Sequence, residues 1–303
     1  MYKDFDELTG AVRRSAAKRI VAIAAAEDEA VVAAALRAQA EGVAEPIFVG
    51  DAAKIRAILD SMTGDSAAFS VVGAAAGEAG QRAAELVMDG RANILMKGLI
   101  ETRDFLGPVV RKENGLGGGG IMSHVAFFAA PHYHKLLLVT DGGMVMYPTL
   151  ADKRHIIDNA TKTLRAMGYE RPKHAVVCAI ETVNPKMNET VEAAELQRLN
   201  ETGEIRGCTV VGPISYDVAM DKGIARHKGF ESRHCGDFDC LIMPNIQAGN
   251  ILGKCLAVTC RAAMAGIVVG ARIPVVMTSR GSGADEKFYS IAMAALVTAG
   301  AAL

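Results

Sequence analysis

Toward its C-terminal end the chain reads Pro274-Val275-Val276-Met277-Thr278-Ser279-Arg280-Gly281-Ser282-Gly283-Ala284-Asp285-Glu286-Lys287. A buried strand here delivers a hydroxyl and a guanidinium at its end, glycines let the backbone turn tightly, and a helix begins with two acids in its first turn. The planar fork of arginine donates two parallel hydrogen bonds and matches a phosphate best among side chains. Arg280 is therefore the expected phosphate contact. Ser282 and Asp285 fit [ST]-x-x-[DE], a capping box, so helix initiation alone accounts for that pair. Glu286 is left as the acid with less structural reason to be there.

Three further segments carry polar groups where ligands bind. Lys97-Gly98 closes the apolar run Ile94-Leu95-Met96, and the carboxyl ends of parallel strands gather ligand-binding loops; a solvated lysine is the alternative. Ser123-His124 lies inside an apolar run, which suits either a satisfied core histidine or a polar pair at a strand end. Asn245 through Asn250, including Gly249, follows the strand-like Leu241-Ile242-Met243 and enters a helix. Such a turn offers free N–H groups and a positive dipole end to a phosphate, while Asn245 or Asn250 serves equally as a helix cap. The run Gly115-Leu116-Gly117-Gly118-Gly119-Gly120 matches G-x-G-x-x-G and has Asp141 downstream at about 20 residues. It follows the polar Arg111-Lys112-Glu113-Asn114 and leads into a strand, the reverse of a dinucleotide-binding turn, so it reads as a flexible loop or a surface connection.

Short β-rich apolar runs alternate with alanine-rich helical windows along the whole chain, the pattern of an α/β fold with a parallel sheet. Candidate strands are Ile20–Ala24, Pro46–Val49, Phe69–Val72, Asn93–Met96, Ile121–Phe127, Leu136–Thr140, Ala175–Ala179, Thr209–Val211, Leu241–Met243, Ile267–Val269 and Val275–Thr278. Helical windows fall notably at 28–41, 76–89, 151–167, 189–200, 248–264 and 284–300. Eleven strands are many for one open sheet, and the glycine run near the middle suggests a division into two domains with a cleft between them. The expected boundaries are 1–137 with 275–303 for the first domain and 138–274 for the second.

Bulk composition excludes several function classes. With 33 basic against 34 acidic side chains, neither a nucleic-acid track nor a polybasic membrane surface is indicated. The first residues are acidic where a signal peptide needs a basic segment, and no apolar stretch approaches the roughly 20 residues that span a bilayer. A cytoplasmic protein with small-molecule partners is expected. The six cysteines read as reduced core thiols, and His234-Cys235-Gly236-Asp237-Phe238-Asp239-Cys240 fits no zinc spacing.

Taken as an ordered set, these segments resemble the phosphate acetyl/butyryltransferase family. The resemblance runs from Met96-Lys97-Gly98 through Ser123-His124-Val125, Leu138-Val139-Thr140-Asp141, Val183-Asn184-Pro185-Lys186-Met187, Gly212-Pro213 with Asp217 and His227-Lys228-Gly229. It continues through Pro244 with Ala248-Gly249-Asn250 and Pro274 with Thr278-Ser279-Arg280, to Lys287-Phe288-Tyr289-Ser290. It implies a two-domain fold like that of the isocitrate/isopropylmalate dehydrogenases, with mainly parallel sheets, an interdomain cleft and a C-terminal helix that returns to the first domain. It also implies a homodimer or larger assembly, dimerising through the second domain. No metal or permanently bound cofactor is implied: coenzyme A is a substrate, and acyl-CoA, phosphate and acyl phosphate are the partners, meeting in a ternary complex.

On that resemblance Glu286 or Asp285 would take the thiol proton of coenzyme A. Ser279 and backbone donors near Gly281 would stabilise the oxyanion, and Arg280 would hold the phosphoryl group. Lys97, Ser123, His124, Asp141, Asn245, Gly249, Asn250, Gly281 and Lys287 would bind substrate. The chain departs from the family at Gly117 and Gly120, where arginines are usual, at Val145 and Val218, where asparagines are usual, and at Ser282, where an acid is usual. An acyltransferase with another acceptor, a dehydrogenase-like relative or a non-catalytic protein that binds coenzyme A or acyl phosphate are the competing readings.

Overall fold

The computed structural model describes residues 1–279 and 281–301. Its strands are β1 (Ile20–Ala24), β2 (Glu45–Gly50), β3 (Ser70–Gly73), β4 (Ile94–Lys97), β5 (Ser123–Phe128), β6 (Leu137–Thr140), β7 (Lys173–Cys178), β8 (Thr209–Ser215), β9 (Cys240–Ile242), β10 (Met264–Val269) and β11 (Val275–Val276). The helices are α1 (Phe5–Arg14), α2 (Glu29–Ala40), α3 (Ala52–Thr63), α4 (Ala79–Met88), α5 (Thr102–Val110) and α6 (Leu150–Ala166). They continue with α7 (Asn188–Glu201), α8 (Tyr216–Met220), α9 (Lys222–His227), α10 (Ile246–Lys254) and α11 (Ala284–Ala301). All eleven expected strands are present, with boundaries displaced by a few residues.

The chain forms two compact units, Phe5–Gly120 with Ala265–Leu303 and Met1–Asp4 with Ile121–Met264. The division thus falls at 120/121 and 264/265 rather than at 137/138 and 274/275. Strand β5 pairs antiparallel with β6, Ala126 opposite Val139, which carries residues 121–137 into the second unit; β10 pairs with β11 and joins the first.

In the first unit the strand order is β3-β2-β1-β4-β11-β10. Strands β1 to β4 and β11 run parallel, and only β10 is reversed. Both faces of such a sheet are covered, so its strands read as continuous apolar runs; Val21 to Ala24 and Ile94 to Met96 are wholly buried. Side-chain oxygens start the helices: Asp28 accepts from the Val31 amide ahead of α2, and Asp51 from those of Ala53 and Lys54 ahead of α3, each satisfying orphan donors of a first turn. The C-terminal helix α11 packs on α1 and α2. Phe5 stacks on Tyr289 at 4.6 Å between ring centroids, and buried Ser290 accepts from the Gly266 amide of β10 at 3.0 Å.

The glycine run leads out of this unit. Gly118 lies against residues 270–271, where a Cβ would stand 2.0 Å from the Gly270 carbonyl oxygen, and Gly117 bridges to Ala271. Close backbone approach, rather than loop flexibility, explains glycine at 118.

The second unit has the order β5-β6-β9-β7-β8. Its core gathers Phe128, Leu137, Val139, Ile214, Val218, Phe238 and Leu241. Thr149 and Asp152 form a reciprocal capping box on α6. The expected helical window 248–264 is shorter than anticipated: α10 ends at Lys254, a π turn spans Cys255–Thr259, and Arg261 takes a positive φ of 53° before β10 begins. In consequence Cys255 and Cys260 are exposed thiols, while Cys178, Cys208, Cys235 and Cys240 are buried and all six are free. The segment 234–240 is held by charge pairing. Buried Lys135 donates to Asp239 at 2.6 Å and to Asp237 at 2.8 Å, and Lys173 also bonds Asp237. Among the described residues no helix is long and apolar enough to cross a membrane.

Removing one partner of a buried pair leaves a charge in a poor solvent and costs about 3–5 kcal/mol. Lys135→Met is expected to lose that much in urea unfolding at neutral pH. Burial works to raise the Asp237 carboxyl, but hydrogen bonds from Lys135 and Lys173 override it and hold it well below the usual range. Its contribution is therefore present above the ordinary carboxyl pKa of about 3.9 and lost as pH falls through the lower folded value. The Lys135→Met deficit should shrink on acidification through that window.

Candidate active site

The order β3-β2-β1-β4 reverses direction at β1, and in open α/β sheets ligands usually sit at the carboxyl ends of the strands beside such a reversal. A depression lies there within the first unit, lined by Asp28 after β1, Lys97 and Leu99 after β4, Thr278 and Ser279 after β11, and Lys287 of α11. The loop after β4 is tied to that after β1 by Gly98 N–H to the Ala24 carbonyl at 2.8 Å and Leu99 N–H to that of Ala25 at 2.7 Å. Lys97 is buried, its ammonium 3.5 Å from the Gly98 carbonyl oxygen. Arg280 lies outside the described residues.

The turn from Ser279 into α11 consumes most of its own polar groups. The Gly281 amide donates to the Ser279 hydroxyl at 3.4 Å, and the Ser282 amide to the Ser279 carbonyl at 3.1 Å. Ser279 is exposed, and its hydroxyl and carbonyl oxygens both accept from the turn that follows. Lys287 is buried and donates to the Ser282 carbonyl oxygen, so its charge shapes the turn.

The two acids differ sharply. Asp285 pairs with Arg37 at 2.8 Å and its side chain is 82% exposed; Arg37 in turn lies 3.8 Å over the Phe288 ring. Glu286 is half-buried and accepts from the Ser282 hydroxyl at 2.6 Å. Its pKa is raised by burial, with the Ser282 hydrogen bond and the Lys287 charge opposing. The capping box expected between Ser282 and Asp285 is therefore replaced by a Ser282–Glu286 contact, because α11 starts at Ala284 and leaves Ser282 a residue too early to cap it. Sequence reasoning did not pick out Asp28 or Arg37, and it assigned the Ser282–Asp285 spacing of three to capping, whereas the hydroxyl pairs with Glu286 at a spacing of four.

A second polar group lies in the other unit, where the start of β5 faces the carboxyl end of β6. Asp141 is buried, and its carboxylate accepts four backbone N–H groups: His124 at 2.9 Å, Gly143 at 2.6 Å, Met144 at 2.8 Å and Val145 at 3.3 Å. It thus organises the loop 142–145. Ser123 is fully buried and accepts from Asn159 of α6 at 3.0 Å. Asn245 caps α10 by accepting the Ala248 amide at 3.0 Å, and Asn250 donates to the Gly142 carbonyl at 3.1 Å. Gly249 lets α10 approach that loop: a Cβ there would lie 2.4 Å from the Asp141 carbonyl oxygen. The His124 ring rests on Gly143, and its pKa is lowered by burial, with Asp141 opposing. Ser123, Asp141, Asn245, Gly249 and Asn250 are thus framework contacts of this loop.

These features are those of an α/β fold with two buried lysines and an exposed hydroxyl at the carboxyl ends of parallel strands and a half-buried carboxylate in the helix that follows. Residues 75–295 match the model of the family described as phosphate acetyl/butaryl transferase. The chain is 41% identical over 298 residues to the phosphate butyryltransferase of Clostridium acetobutylicum, covering 98% of this chain and 99% of that one. It is 39% identical over 276 residues to the phosphate acetyltransferase of Thermotoga maritima, covering 91% and 94% respectively. A branched-chain phosphotransacylase from Enterococcus faecalis V583 has a similar structure, with a TM-score of 0.82 at 31% identity, covering 92% of this chain and 99% of that one. The chain belongs to the phosphate acetyl/butyryl transferase family.

Gly249→Ala forces backbone against backbone. A loss of about 1–3 kcal/mol is expected for such overpacking, read as a lowered urea midpoint with the slope unchanged.

Proposed function

We propose that the chain transfers a short acyl group between coenzyme A and inorganic phosphate, acyl-CoA + phosphate = acyl phosphate + CoA. The observation that carries this reading is the similarity to a phosphate butyryltransferase along nearly the full length of both chains. In the direction of acyl-CoA, the coenzyme A sulfur forms a bond to the acyl carbon while the bond from that carbon to the phosphoryl oxygen breaks, and phosphate leaves. The thiol proton passes to a base.

A thiol with a reference pKa near 8.5 is mostly protonated at neutral pH, so a base of raised pKa increases the attacking thiolate. Glu286 is assigned that role over Asp285. Burial lifts its basicity, whereas Asp285 is exposed and paired with Arg37. The Ser279 hydroxyl is the donor for the developing oxyanion, and Arg280 holds the leaving phosphoryl group. Lys97 adds positive charge to the same depression. Both substrates are bound together, so positioning supplies much of the acceleration.

A cytoplasmic homodimer is proposed with this chemistry, the second unit carrying the contact. Ile251 and Val258, with Met146 and Tyr147 on the neighbouring loop, are between 66% and 75% exposed, and a second copy of this chain would cover them. Ile251→Asp with Val258→Asp should elute as a monomer; a monomeric parent would overturn this assignment.

The reaction is tested by thiol release from acetyl-, butyryl-, isobutyryl- and octanoyl-CoA with and without phosphate. Phosphate-dependent release is expected, greatest for the short chains; release indifferent to phosphate, or none, contradicts the reading. Arg280→Ala should fold normally and lose transfer. Glu286→Gln should lower kcat by about 10²–10⁴, while Asp285→Asn, which breaks an exposed pair worth at most about 1 kcal/mol, should stay within a few-fold of the parent.

A further inference from the structure

We propose that Ser282 is a positioning residue for the base: its hydroxyl, donated to Glu286 Oε1 at 2.6 Å, fixes the carboxylate so that the other oxygen is presented to the thiol of coenzyme A. The inference rests on the reading of Glu286 as that base.

Ser282 is 8% exposed, so no water can readily replace its hydroxyl at the carboxylate. The residue is itself held from behind. Its amide donates to the Ser279 carbonyl, and its carbonyl accepts from the buried Lys287 ammonium, which leaves the hydroxyl as the one group of Ser282 free to serve Glu286. A carboxylate has two oxygens, and tying one of them by a short bond selects the rotamer that the other must adopt. Removing the hydroxyl would free the carboxyl to rotate and would take away a donor that favours its charged form.

The remaining charges around Glu286 are committed elsewhere. On α11, Asp285 faces Arg37 of α2, and Arg37 also binds Glu41. Lys287 bonds the turn, and Asp28 accepts the Val31 amide. Lys97 of β4 lines the depression that Lys287 also borders, and Arg280 lies outside the described residues. The Ser282 hydroxyl is therefore the group whose loss acts most directly on the Glu286 carboxylate.

The test is the pH profile of kcat/KM for coenzyme A plus acyl phosphate, compared between parent and variants so that the thiol's own titration cancels. A donor to the charged form lowers an acid's pKa. Ser282→Ala should therefore move the acid limb upward by about one pH unit, with KM for both substrates within about twofold of the parent and kcat carrying the loss. Ser282→Thr, which keeps the hydroxyl, should restore the parent limb. Ser282→Cys, a weaker donor, should fall between them and covers the case in which the alanine variant does not fold. An unmoved limb in Ser282→Ala, or a threonine variant as shifted as alanine, overturns the proposal. Glu286→Gln in the same assay separates the two readings: if it retains transfer, the base assignment fails; if it is inactive while the Ser282→Ala limb is unmoved, only the role of Ser282 fails.

Discussion

The turn that leads into α11 depends on a lysine almost wholly withdrawn from solvent. Lys287 turns its ammonium back into the carbonyl of Ser282, and this contact folds the turn just before α11 onto the start of the helix. With Ser282 fixed, its hydroxyl meets Glu286, whose burial would otherwise leave the carboxyl to find its own rotamer and protonation state. Asp285, one residue earlier, points outward to Arg37, so adjacent acids on one helix acquire different environments from different neighbours. Two carboxyl groups set apart in this way are how a single element separates a structural acid from a reactive one.

The second unit uses the same economy with the opposite charge. Asp141 directs its carboxylate to four backbone amides and thereby shapes the loop against which α10 packs through Gly249. Lys135 does a third version of this, gathering Asp237 and Asp239. In each case a buried charge is consumed by nearby backbone or by opposite charge, as it must be in a medium that solvates it poorly.

Much of the fold was legible because parallel strands buried on both faces are continuous apolar runs; Ile20–Ala24 is recovered residue for residue. The helix α1 was missed although Phe5, Leu8 and Val12 recur at helical spacing. Helix α5 contains Pro108, and α10 was overextended because Cys255–Thr259 is apolar and helical in composition but winds as a π turn. At the site, residue types pointed to Ser279, Arg280 and Glu286. Spacing could not separate Asp285 from Glu286, for that distinction is made by Arg37, nearly 250 residues away in sequence. Nor could it show that Asp141 and Lys287 serve the backbone, since a buried anchor and a ligand contact use the same residue types.

The central claim is direct transfer between coenzyme A and phosphate with both substrates bound at once. It is tested most directly by isotope exchange: labelled phosphate is incubated with unlabelled acyl phosphate and the enzyme, with and without coenzyme A. The account predicts that label enters acyl phosphate only when coenzyme A is present. Label entering without coenzyme A would reveal a covalent acyl-enzyme, and no entry under either condition would mean that the chain does not catalyse this transfer.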